Sequence, residues 1–210
     1  RAQGFALLHA ILRSEVAGQD VTAALATSLR RTGTALEFDT VRDLKEKMCC
    51  VGGVPLPASF SPGDVDYELP DGSMVHLAPQ WRTGAPELLF TGLDEQLGLP
   101  SLVHKSITAC DNDLKPDLYG NVVLAGGSTM LAGFPDRMKL ELGRLVPDGT
   151  SYSVVPDPQG SGERGYNSQR KHAAWIGGSM FASLETFKQV RITKQEWEDY
   201  DESVVHRKCF

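Results

Sequence analysis

No stretch of this 210-residue chain is apolar for long enough to span a bilayer, which takes about 20 largely apolar residues in a helix. Cysteine is sparse: Cys49 and Cys50 are adjacent, Cys110 and Cys209 stand alone, and none has CxxC spacing. That excludes a zinc knuckle and a disulfide framework, and reduced cytosolic thiols are expected. The five histidines, His9, His76, His104, His172 and His206, include no i,i+4 pair, so metalloprotease-type ligation is unsupported. GxSxG and P-loop spacings are absent as well. Basic runs interleaved with aromatics are lacking, and the formal charge of -6 opposes general nucleic-acid binding. Neither a nucleic-acid nor a membrane partner is expected.

What remains is a chain with 41% hydrophobic residues, enough for a sizeable core in one or two domains. The run Phe5 to Leu12 has the apolarity of a signal-peptide core, but His9 and Arg13 interrupt it and no small-x-small cleavage pattern follows. A strand leading into an Ala17-Gly18 turn accounts for the same letters. The chain opens on Arg1 rather than Met, which leaves open whether the true amino terminus lies upstream.

Asp20 is placed to cap a helix whose face is Val21, Ala24, Leu25, Ser28 and Leu29, ending at Gly33. A second helix is predicted from Thr40, with Asp43 as a shortened capping box and Val41, Leu44, Met48 and Val51 buried. Arg42, Lys45 and Glu46 fall off that stripe, on what pattern alone reads as a solvated face. Gly52 to Asp66 reads as a loop. Tyr67 to Leu77 reads as a hairpin around Pro70-Asp71-Gly72.

The most informative segment is Tyr119 to Val146. Val122, Val123 and Leu124 suit a strand covered on both faces, Gly126-Gly127 a sharp turn, and Pro135 with Phe134, Met138, Leu142 and Leu145 an amphipathic helix. Two readings stay open: a plain tight connection, or a turn whose amides meet a phosphate or sugar with the Ser128 and Thr129 hydroxyls. Further on, Tyr152 to Val155 reads as a strand. Gly160, Gly162 and Gly165 spell GxGxxG, but prolines precede them and no amphipathic helix follows, so the dinucleotide reading fails its context. Ala173 to Phe187 reads as a helix, and Thr193 with Glu196 forms a capping box.

Five segments together carry more than any one. RDLKEKMCCV, YELPDG, the GGSTM turn, WIGGSMFASLETF and VVHRKCF resemble actin, in the actin order and at roughly actin spacing. The resemblance runs from about Gly4 to Phe210 and covers the carboxyl-terminal part of the family pattern. It implies an α/β lobe of the actin, Hsp70 and hexokinase type (ribonuclease H-like), a mixed sheet with flanking helices, incomplete beside a full actin. Residues 1–172 then correspond to the large lobe, with its outer subdomain at roughly 17–95, and 173–210 to the helical segment that in actin returns to the small lobe.

The resemblance also implies a nucleotide cleft built from Gly18, Lys45, Glu46, Gly126, Gly127, Ser128 and Lys171. Departures from the pattern are Gln19 in place of an Arg, Leu131 in place of an aromatic, and a lengthened loop ahead of Lys171. The family's two phosphate hairpins, its metal aspartate and its water-positioning residues have no counterpart in these residues. Phosphoryl transfer rests on positioning and charge neutralisation, so no catalytic residue, no metal site and no required cofactor are expected, with ATP or ADP bound weakly. The expected role is a non-catalytic cytoplasmic, cytoskeletal interaction protein, with other cytoskeletal or actin-fold proteins as partners. The alternative is a nucleotide-dependent switch or filament subunit completed by upstream sequence or a second chain. Asp94 and Glu95 fall in the segment matching actin's interstrand loop, which argues against conventional polymerisation. Trp175, Ile176, Met180, Phe181, Leu184 and Phe187 are expected to form a partner interface.

Overall fold

The computed structural model describes residues 6–56, 60, 63–93, 95–157 and 168–208. The sequence expectations on Asp94, on Gly160, Gly162 and Gly165, and on Cys209 and Phe210 lie outside the described residues.

Helix α1 spans Gly18–Arg31, and Val21, Leu25 and Leu29 bury its inner face at three-to-four spacing. Asp20 is not its N-cap. It is the third helical residue, and its carboxylate accepts the Ala17 amide at 2.8 Å, where an anion meets the bared amides of the first turn. Helix α2, Phe38–Met48, starts two residues earlier than expected and buries Val41 and Leu44. Asp43 does not cap it either, because its carboxylate is engaged by Lys47 at 2.8 Å and the Tyr67 hydroxyl at 3.0 Å. A cation and a phenol outcompete a backbone amide for that carboxylate.

Strands β1 (Val65–Glu68) and β2 (Met74–Leu77) form the expected antiparallel hairpin, with Asp71 accepting the Ser73 amide in the turn. Val75 and Leu77 point inward from β2. Helix α3 (Pro79–Thr91) packs on α1. Helices α4 (Leu99–Thr108) and α5 (Lys115–Tyr119) lead into β3 (Val122–Val123), which pairs in parallel with β4 (Val154–Val155). Helix α6 (Phe134–Leu145) lies between them in sequence and buries Phe134, Met138 and Leu142. One core runs from Val21 to Val154 through both regions.

Among the described residues the pairing comprises one antiparallel ladder, one parallel ladder and an isolated parallel bridge between Cys50 and Ala132. Two expectations need correction. Val123 is 59% exposed, so β3 is covered on the Val122 face only. No strand forms among the described residues before Gly18: Leu8–Ala10 is a single 3-10 turn, and Ser106 on α4 donates to the Ala10 carbonyl at 2.6 Å. A strand needs a ladder partner, and the nearest neighbour here is a helix.

Beyond Arg170, helix α7 spans Ala173–Ala182, shorter than the Ala173 to Phe187 reading because Ser183 to Thr186 form turns before the short α8 (Phe187–Val190). Helices α9 (Lys194–Tyr200) and α10 (Ser203–Lys208) complete the described chain.

Candidate functional site

The seven residues proposed for a cleft come from four places in the chain, and the fold brings them together. Gly18 opens α1; its carbonyl accepts the Lys45 ammonium at 3.0 Å. A Cβ on Gly18 would sit 2.8 Å from the Ser128 hydroxyl, so any larger residue there requires that hydroxyl to turn away. Lys45 and Glu46 project from the last turns of α2. Glu46 pairs with Lys171 at 2.8 Å across 125 residues of sequence. The Lys171 stem lies along Gly127, with its Cγ 3.8 Å from where a Cβ would stand.

The glycine turn itself is held from beneath. Gly126 has φ 94°, a left-handed value suited to glycine, and its amide donates to the Arg170 carbonyl at 2.9 Å. Arg170 is buried at 4% exposure, and its guanidinium donates to the Thr129 hydroxyl at 3.1 Å and the Thr129 carbonyl at 2.7 Å. One residue therefore fixes the turn through main chain and side chain and sets Lys171 beside it. The turn continues as a 3-10 segment, Gly127–Met130, and α6 begins only after Gly133. The bared amides expected at a helix start are therefore separated from α6 by that segment.

Electrostatics within the cluster are uneven. Lys171 holds the Glu46 carboxyl below its ordinary value, with Lys45 and Arg42 assisting against burial. Burial lowers the Lys45 ammonium, although Glu46 and Cys49 oppose that shift. Lys45 is thus a half-buried cation resting on a neutral carbonyl, a group that gains from a nearby anion. Gln19 is exposed, whereas Leu131 is buried in the core. The cluster offers an ammonium, a carboxylate, a hydroxyl and a close backbone approach, the donor set for a polyhydroxylated or anionic ligand. No group of three or more metal-ligating side chains occurs among the described residues.

The expected partner residues behave differently. Trp175 is 76% exposed, Met180 66%, Leu184 54% and Phe181 48%, while Ile176 and Phe187 are half-buried. Phe181 and Phe187 meet edge-on at 5.5 Å. Apart from the Ala173 amide, which donates to the Arg170 carbonyl where the segment begins, the hydrogen bonds and ion pairs described for residues 173–208 stay within that segment. Thr193 and Glu196 form the full capping box, and Lys208 closes it by binding Glu196 at 2.5 Å and the Arg191 carbonyl at 2.9 Å.

These bonds from Lys208 first, then from Thr193, bring the Glu196 carboxyl down to about 2. A depressed carboxyl contributes stability that is complete above its ordinary 4.5 and is lost as pH falls through the folded value. The clip joining α9 to α10 is therefore expected to open between about pH 4.5 and 2. Lys208→Met should return the Glu196 titration, followed by NMR, toward 4.5; an unchanged midpoint would show that Lys208 does not hold it.

The fold is thus a helix-rich α/β lobe with a glycine-turn cluster and an apolar helical tail. Residues 32–210 match the family model Actin. The chain belongs to the actin family, and its fold is that of an incomplete actin lobe. Of the cleft residues, only Gly18 lies outside the matched range.

Sequence reasoning missed three arginines. Arg170 holds the turn, Arg82 ties α3 to the end of α2, and Arg137 bridges Glu87 at 2.7 Å, Glu141 at 2.7 Å and the Gly52 carbonyl at 2.8 Å. The one available signal was a polar residue at a position that helical spacing assigns inward, as for Arg82 three residues before Ala85.

Proposed function

We propose that this actin-family chain is a non-catalytic cytoskeletal interaction protein, akin to the short divergent actin-like members, with a partial and weak nucleotide cleft. Its partners are other cytoskeletal or actin-fold proteins, and its place is the cytoplasmic cytoskeleton. The observation that carries this reading is the tail: Trp175, Met180, Phe181 and Leu184 face outward from a segment whose described polar bonds, beyond the Ala173 amide at its start, are internal. Exposing large apolar side chains in one contiguous stretch marks an interface, and the Thr193 cap keeps the segment's local structure formed for docking. Hydrogen exchange on 173–208 tests it. The α7 amides of the monomer at high dilution should exchange rapidly and become protected on complex formation, whereas strong protection in the monomer would remove the need for a partner.

A second reading, a nucleotide-dependent switch, is supported by the convergence of Gly18, Lys45, Glu46, Gly127 and Lys171 in one cluster. The two readings part on turnover and coupling. Phosphate release from Mg-ATP is expected to stay at the blank rate, because these residues hold no counterpart of the family's phosphate hairpins. Steady release, or a change in tail exchange on adding ATP, would favour the switch.

Filament formation is expected to fail. Where the link from α3 meets α4, a Cβ on Gly98 would fall 1.8 Å from the Phe90 carbonyl oxygen, and Glu95 is exposed between Leu93 and Leu97. A carboxylate set between those leucines makes a poor apolar plug. Under polymerising salt the protein should remain in the supernatant on sedimentation; regular filaments by electron microscopy would contradict this.

A further inference from the structure

A second unsatisfied apolar surface lies away from both the cleft and the tail. Between the opening segment and α4 is a half-open cavity of about 540 Å³, walled by Leu7, Ile11, Leu102, Val103, Ile107 and Val122. Its lip is itself apolar and outward-facing, Leu8 at 70% exposure, Ile11 at 62% and Leu12 at 40%. The volume falls in the range of about 300–1,000 Å³ that accepts bulky apolar groups.

We propose that this groove receives the tail of a second copy of the same chain, in a reciprocal exchange. The proposal rests on the reading of the tail as a docking element and names what it docks on. Three observations favour a second copy. First, among the described residues the tail projects an apolar face and the groove offers an apolar recess, so each copy supplies what the other lacks. Second, the area suffices. At roughly 150–250 Å² for a large side chain, the exposed fractions of Trp175, Met180, Phe181 and Leu184 leave on the order of 500 Å² on the tail. The lip adds on the order of 300 Å². Two such contacts related by a twofold axis bury roughly 1,600 Å², the size of a stable interface. Third, charge fits. Lys105 lines a smaller pocket adjoining the groove, which Arg13 shares with its ion-pair partner Glu15, while α9 and the turn after it carry Asp199, Asp201 and Glu202 besides the Glu196 and Glu198 that Lys208 and Lys194 pair. A reciprocal exchange closes on itself and stops at two copies, unlike a head-to-tail contact.

The test is the mass of the purified full chain by sedimentation equilibrium at micromolar concentration. The wild type should be a dimer. Trp175→Asp with Phe181→Asp should be monomeric, and so should Leu8→Asp with Ile11→Asp. All four positions are outward-facing, so folding is expected to persist, with far-UV circular dichroism as the check. Mixing the two variants leaves one intact tail and one intact groove, and should restore a heterodimer of weaker affinity. A monomeric wild type, a tail variant that still dimerises, or a mixture that stays monomeric would each overturn the exchange. The docking reading fails separately: a monomer with an unprotected tail removes the second copy but keeps a partner, while a monomer with a protected tail removes both.

Discussion

Arg82→Ala is expected to cost about 3–5 kcal/mol of stability, a large share of the 5–15 kcal/mol that holds a typical domain. Arg82 is 2% exposed on α3, and its guanidinium donates to the Met48 carbonyl at 2.8 Å and the Gly63 carbonyl at 2.7 Å. Phe60 stacks at 5.1 Å, and the Arg82 carbonyl accepts the Cys50 amide at 3.1 Å. Met48 ends α2, so Arg82 satisfies a carbonyl that the helix itself cannot and places positive charge at the negative end of the helix dipole. Truncation removes the Arg82 donors from the Met48 and Gly63 carbonyls and opens a cavity where the stem lay. Arg82→Met keeps the stem but not the donors, and should recover less than half of the loss. At 2–4 °C per kcal/mol the alanine variant should melt roughly 10 °C lower. Urea unfolding followed by circular dichroism measures this, and a loss below about 1 kcal/mol would show that the carbonyls find water instead. Because Lys45 and Glu46 sit in the turn before Met48, the same change should loosen the cleft.

Segments whose periodicity answers to burial were readable from sequence alone. Val21, Leu25 and Leu29 repeat at helical spacing, and the structure buries them; the Pro70-Asp71-Gly72 hairpin and the Phe134, Met138, Leu142 face emerge likewise. Ends were less readable, because Asp20 and Asp43 look like caps by residue type while their carboxylates answer to whichever donor is nearest in three dimensions. Strand β3 shows the same limit. Val122-Val123-Leu124 reads as a fully covered strand, yet coverage depends on neighbours that a local pattern does not specify, and Val123 is left outward. The cleft depended on resemblance. Pattern alone put Lys45 and Glu46 on a solvated face, and Glu46 is indeed exposed; its pairing with Lys171 spans too much sequence for any local rule. Arg170 stayed hidden because its work is done through Thr129 and the main chain of Gly126.

Adenosine and Mg-ATP are expected to bind within about tenfold of one another, both near millimolar, about -4 kcal/mol. The cluster's strongest polar features are the Glu46 carboxylate, apt for ribose hydroxyls, and the close approach permitted at Gly18 and Gly127. For phosphates it offers Lys45 and the Ser128 hydroxyl, and a single part-exposed cation contributes about 1 kcal/mol, less than the 1.4 kcal/mol of a tenfold difference. Glu46→Ala removes the ribose acceptor and frees Lys171, so binding should fall below detection. Gly127→Val should do the same by another route: its branched carbons would enter the space of the Lys171 stem, now 3.8 Å from a Cβ, and displace the pair. The pH profile follows from the sign of the Glu46 shift. A depressed carboxyl stays ionised at and above its ordinary 4.5, so binding should be level from about pH 8 to 5 and decline as pH falls through the lowered value. Calorimetry with adenosine, ADP and Mg-ATP on the wild type and both variants reads all of this at once. Submicromolar Mg-ATP affinity would mean that a phosphate clamp exists after all, and adenosine binding untouched by either variant would place the nucleoside elsewhere.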